Sequence, residues 1–103
     1  MKGWMYILQC ADGSYYTGST NNLEFRLNQH WKGKGANHTK NRLPLKLLYV
    51  EKFKRVQDAF YREKQVQGWG RKKKEALIRN MPEELHRLAE CMNETHFRNY
   101  KMK

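Results

Sequence analysis

Trp4–Cys10 is a run of aromatic and aliphatic residues interrupted only by Gln9. It ends at Ala11-Asp12-Gly13-Ser14 and is followed at once by Tyr15-Tyr16-Thr17-Gly18. Asp-Gly between two such segments is a strong local signal for a β-hairpin, because glycine accepts the backbone twist that a tight turn demands. A sheet must therefore begin at the N-terminus. Loop length then decides which side chains share a face. A two-residue turn at Asp12-Gly13 would put Tyr6 and Tyr16 on opposite faces, whereas a three-residue loop, Asp12–Ser14, would put them on the same one. The pattern alone allows both.

After the hairpin the spacing of apolar residues changes. Asn21, with Glu24 three residues on, has the form of a capping box and predicts a helix from about Asn22 to Trp31, stopped by Gly33. Gly33–Pro44 reads as a basic polar loop, Leu45–Phe53 as a third strand and Val56–Gln67 as a second helix ended by Gly68. Arg71–Arg79 reads as a short basic helix. Pro82, Glu83 and Glu84 suit the first turn of a last helix. Its stripe is Leu85, Leu88, Ala89 and Met92, with fraying expected beyond. This order predicts a small α/β (α+β) fold, one short sheet with helices packed on it. Residues 1–80 are expected to form one domain. Residues 81–103 form a helical extension, not a separate domain, whose stripe packs on that domain. A monomer is therefore expected rather than a dimer.

The 103 residues carry 21 Lys+Arg against 10 Asp+Glu, a net charge of +11. Residues 1–80 hold 17 basic and 6 acidic residues, and residues 81–103 hold 4 of each, so the whole excess lies in the first part. With aromatics interleaved among the cations, this favours a nucleic acid as partner over a merely solvated basic surface. A membrane partner is not expected. Mean hydropathy is −1.03, no run approaches the ~20 apolar residues of a transmembrane helix, and Gln9 and Asp12 interrupt any signal-peptide core. A cytoplasmic location follows. Cys10 and Cys91 are too far apart for a zinc motif and read as free thiols.

Three polar residues sit in or beside apolar helix stripes. Val56, Ala59, Phe60 and Val66 form one stripe of the second helix, and Glu63 falls inside it. A carboxylate facing a core costs several kcal/mol unless it is paired or binds a metal. A salt bridge at a wet rim and a functional site both satisfy that requirement. In the first helix Leu23, Leu27 and Trp31 form the apolar stripe, flanked by Arg26 and His30 four residues apart. Arginine offers a planar fork for phosphate, and histidine a group that titrates near neutrality. An exposed pair would be the ordinary reading, but its coincidence with Glu63 favours a site.

These residues fall into longer motifs. Trp4-Met5-Tyr6, Tyr15-Tyr16-Thr17-Gly18-Ser19-Thr20-Asn21-Asn22-Leu23-Glu24-x-Arg26-Leu27-x-x-His30, Pro44-Leu45-Lys46-Leu47-Leu48-Tyr49 and Arg62-Glu63-Lys64-Gln65 with Gly68-Trp69 together resemble the GIY-YIG nuclease domain over roughly residues 4–80. The likeness is greatest to the small stand-alone bacterial members and to the nuclease subunit that cuts branched DNA; excision-repair nucleases and homing endonucleases are more distant. The resemblance implies a three-stranded antiparallel sheet flanked by helices, and metal-dependent hydrolysis of phosphodiester bonds in DNA. It implies Tyr6 as general base, Tyr16 as the group orienting phosphate or water, and Gly18 as the glycine of the second motif. Arg26 would stabilise the phosphate, His30 would assist proton transfer, and Glu63 would be the single carboxylate holding Mg²⁺ or Mn²⁺.

Departures are present. The first motif reads Trp-Met-Tyr, and Ser19 stands where several relatives have lysine. Arg71–Glu75 contains no asparagine where many members have one. Ser19 is kept with Gly18 as a candidate nucleic-acid contact. Trp69, Lys72 and Lys73 are further candidates, against core packing for the tryptophan and a solvated face for the lysines. His38, Lys40 and Arg42 of the basic loop are candidate backbone contacts. The expected activity is an endonuclease, structure-selective and weakly sequence-specific, with a protein partner as one source of specificity. The competing readings are a non-catalytic nucleic-acid-binding module on the same fold, and an RNA-associated protein.

Overall fold

A computed structural model describes the main chain of residues 1–101 and the side chains of residues 1–94. Strands β1 (Gly3–Gln9), β2 (Tyr15–Thr20) and β3 (Lys46–Phe53) form one antiparallel sheet in the order β2-β1-β3. Helices α1 (Leu23–Trp31) and α2 (Asn37–Lys40) separate β2 from β3. Helices α3 (Val56–Gln67), α4 (Arg71–Arg79) and α5 (Glu83–Lys101) follow. This is the expected α+β architecture.

The hairpin loop has three residues, Ala11–Gly13. Cys10 N donates to Ser14 O at 2.8 Å and Gly13 N to Cys10 O at 2.9 Å, with Gly13 at φ +84°. It lies one residue earlier than the three-residue alternative Asp12–Ser14 because Ser14 already pairs with Cys10. The face relation is the one a three-residue loop gives. Tyr6 lies opposite Gly18 and Leu8 opposite Tyr16, so Tyr6 and Tyr16 share a face. The return strand also runs past Gly18 to Thr20.

Helix α1 is capped by Asn22, not Asn21. Asn22 has extended φ and ψ, and its side chain accepts from Phe25 N at 3.1 Å. With the cap one residue later, Glu24 sits in the first turn as a dipole partner rather than a capping-box member. Leu23, Leu27 and Trp31 are buried as the stripe predicts. The basic loop after Gly33 contains one helical turn, α2, which the polar sequence did not announce.

Helix α3 covers the opposite face of the sheet from α1. Its buried residues are Ala59 and Val66, while Phe60, placed on the stripe from sequence, is half exposed beneath the Lys64 ammonium. The buried face therefore runs through Ala59, Glu63 and Val66 and leaves Phe60 at its margin. Helix α5 packs on β3 and adds Ala89 to the core, with Leu85, Leu88 and Met92 against it, and Met81 is buried just before the helix begins. It continues to Lys101 instead of fraying after Met92. The Asn93 side chain grips the edge strand: it accepts from Leu47 N at 2.8 Å and donates to Leu47 O at 2.9 Å. Among the described residues no helix is long and apolar enough to cross a membrane.

Candidate active site

The shared face of β1 and β2 brings Tyr6, Tyr16 and Gly18 together beneath α1. Gly18 has to be glycine here. A Cβ at this position would lie 2.6 Å from the Tyr6 hydroxyl oxygen and 3.0 Å from the Tyr16 ring. From α1, His30 enters fully buried. Its exposed pairing with Arg26, one of the two sequence readings, is thereby excluded. The Tyr6 hydroxyl is 2.8 Å from His30 Nε2, and the Tyr16 ring centroid is 5.3 Å from the imidazole. Burial lowers the His30 pKa from 6.5 to about 4, with the Arg26 charge adding to the effect, so the ring is neutral at pH 7. Burial also pushes the Tyr6 hydroxyl well above its usual 10. The neighbouring Tyr16 adds to that shift, while Arg26 pulls in the other direction. Arg26 is half-buried, with one guanidinium nitrogen on Gln29 Oε1 at 3.0 Å.

Glu63 projects from α3 to β2. Ser19 Oγ donates to Glu63 Oε1 at 2.5 Å and Gln67 Nε2 donates to Oε2 at 2.8 Å; Gln67 also reaches Thr17 O at 3.3 Å. The carboxylate is only 13% exposed, and its charge is felt at Tyr6. Among the described residues no group of three His, Cys, Asp or Glu is placed to hold a metal. A lone carboxylate with two donors fixing its orientation does not suit zinc. It fits Mg²⁺, which retains most of its waters and takes one or two protein carboxylates.

The remaining candidates are arranged around this centre. Ser19 is drawn inward to Glu63. His38 lies against Tyr16, ring centroids 6.3 Å apart, with Nε2 at 2.9 Å from Ser14 Oγ. Arg42 is a strut: it bonds Asp12 Oδ2 at 3.0 Å and the His38 carbonyl at 2.8 Å, tying the basic loop to the hairpin. Hydrogen bonds from Ser14, reinforced by Arg42, hold Asp12 at a pKa of about 2. Trp69 is half-buried against the core, with Arg62 and Lys73 over its ring at 5.0 and 4.4 Å. Lys40 and Lys72 are exposed.

Sequence reasoning missed Gln67, Gln29, Thr39 and Gly35. Gln67 and Gln29 had a signal, since each stands one helical turn after Glu63 or Arg26. Thr39 and Gly35 had none, because they meet His30 only through the fold of the basic loop.

The profile of the GIY-YIG catalytic domain matches residues 2–76. The chain belongs to the GIY-YIG family. Among its GIY-YIG relatives, a UPF0213 protein of Bacillus pumilus is 45% identical over 78 residues, covering 76% of this chain and 80% of the relative. One of Syntrophus aciditrophicus is 41% identical over 85 residues, 82% of this chain and 98% of the relative. The solution NMR structure of a UPF0213 protein of Bacillus halodurans is similar with a TM-score of 0.51 at 40% identity, covering 76% of this chain and 83% of that one. An NMR structure from E. faecalis gives 0.54 at 33% identity, with 77% and 84% covered. The GIY-YIG assignment thus spans the sheet, α1, α3 and every residue of the Tyr6–Glu63 constellation.

Proposed function

We propose that this GIY-YIG protein is a metal-assisted endonuclease that hydrolyses phosphodiester bonds in DNA, selecting substrate by shape more than by sequence. The observation that carries the reading is the Tyr6 hydroxyl bonded to a neutral, buried His30, with the Arg26 charge near enough to favour its ionised form. Tyr6 is too weak an acid to stand as a phenolate at neutral pH. It acts instead by taking a proton from the attacking water as it hands its own to His30. Arg26 faces the charge that builds on the phosphoryl oxygens. Tyr16, over Gly18, orients the phosphate. A Mg²⁺ or Mn²⁺ on Glu63 would supply further charge stabilisation at those oxygens. Ser19 and Gln67 hold the Glu63 carboxylate for it. Lys40, Lys72 and Lys73 contact the DNA backbone.

The test is cleavage of labelled duplex, single-stranded, nicked, flap and four-way-junction DNA with Mg²⁺ or Mn²⁺. Wild type should cut at least one shape. Tyr6→Phe should lose about 10²–10⁴-fold in rate, and Glu63→Ala or chelation should abolish cutting while DNA remains bound. Binding without cutting by wild type would instead establish a nucleic-acid-binding module. Equal cutting by Glu63→Ala would remove the metal role.

A further inference from the structure

Both ring nitrogens of His30 have a partner. Nε2 meets the Tyr6 hydroxyl at 2.8 Å and Nδ1 meets the Thr39 hydroxyl at 3.0 Å. A neutral imidazole carries one proton, so one partner accepts and the other donates. The Thr39 side decides which. Thr39 Oγ1 has a single proton and donates it to the Ala36 carbonyl at 3.0 Å, so toward the ring it can only accept. The ring proton therefore sits on Nδ1, and the bare Nε2 accepts from the Tyr6 hydroxyl. Thr39 is fully buried. Gly35 lies so close beneath the imidazole that a Cβ there would collide with Nδ1, so the loop closes around this edge of the ring.

We propose that Thr39 is a positioning residue that fixes His30 as its Nδ1–H tautomer, leaving Nε2 as the base that takes the Tyr6 proton. Its catalytic half rests on the nuclease reading above. As water gives a proton to the Tyr6 oxygen, the Tyr6 proton passes to Nε2. The water oxygen bonds to phosphorus, the bond to the leaving oxygen breaks, and that oxygen takes a proton from solvent. His30 is then an imidazolium whose two N–H groups are already bonded, to Tyr6 and to Thr39, and it resets by releasing one proton to solvent. The other tautomer has Nε2 already protonated and cannot accept.

Long-range ¹H–¹⁵N NMR of the full chain at pH 7 reads the tautomer directly. Wild type should show the proton on Nδ1 and a bare Nε2. Thr39→Val should lose that signature, and Thr39→Ser should restore it. Cleavage should fall about 10–100-fold in Thr39→Val and recover in Thr39→Ser, the scale seen when a residue orienting a functional histidine is removed. A wild-type proton on Nε2 overturns the proposal, as does a Thr39→Val spectrum that keeps the Nδ1–H form. Should Thr39→Val not fold, the wild-type and Thr39→Ser spectra still decide. A wild type that cuts no DNA refutes the nuclease reading alone, since the spectra test the tautomer independently.

Discussion

His30 lies between two tyrosines with no water-exposed surface, so protonating it means placing a charge in the core. The unfolded imidazole takes up its proton near pH 6.5, the folded one only near pH 4. Between these values the unfolded state binds a proton that the native state does not, so stability falls with acid. The His30 contribution is complete above about pH 6.5, and about 3 kcal/mol of it is gone by pH 4. Urea unfolding at pH 7 and pH 4 should show this loss in wild type and a clearly smaller one in His30→Gln. Equal acid sensitivity in the two would mean that the buried ring is not the source. At this scale Arg26 and Glu63 stand out in the sequence by helical spacing and by a break in an apolar stripe, whereas Tyr6 is marked only by the motif it shares with the GIY-YIG family. Thr39 breaks nothing in a polar loop, and its importance appears only once the loop folds onto α1.

Elements were read well wherever a single period ran for two turns or more. Helix α3 and α4 have the expected bounds because Gly68 and Gly70 frame them. The hairpin loop and the cap of α1 each sit one residue from the position the sequence offered, since neighbouring polar residues such as Asn21 and Asn22 compete and the tertiary contacts choose. The packing of α5 on β3 could be guessed from its stripe. The way it seals the strand edge could not, because Asn93 reads as an ordinary exposed polar residue. Asn93→Ala removes both bonds to Leu47 and leaves a part-buried N–H and C=O without their partner. The expected cost is about 1–3 kcal/mol, measured as a lower denaturation midpoint. An unchanged midpoint would show that α5 is held by its apolar stripe alone.

Taken as a whole, the molecule does not use its +11 charge uniformly. Arg42 is bonded to Asp12, Arg62 to Glu51, and Arg71 lies over Tyr15 while bonding the Gly13 carbonyl. These guanidinium groups brace the fold. On the proposed function, Arg26, Lys40, Lys72 and Lys73 are the cations that meet a phosphate chain. Four such contacts predict a slope of about −3.6 for log affinity against log salt, readable by fluorescence anisotropy on duplex DNA. A slope shallower than about −1 would exclude a phosphate-tracking surface. The sheet has a further property at this scale. A three-stranded sheet ends in two strand edges, each a template for a neighbouring chain. Here a side-chain amide meets each one, Asn93 on β3 and Gln67 on β2. A second molecule seeking to extend the sheet would have to displace those amides first, which guards the chain against edge-to-edge aggregation at the high local concentrations a nucleic acid imposes on its ligands.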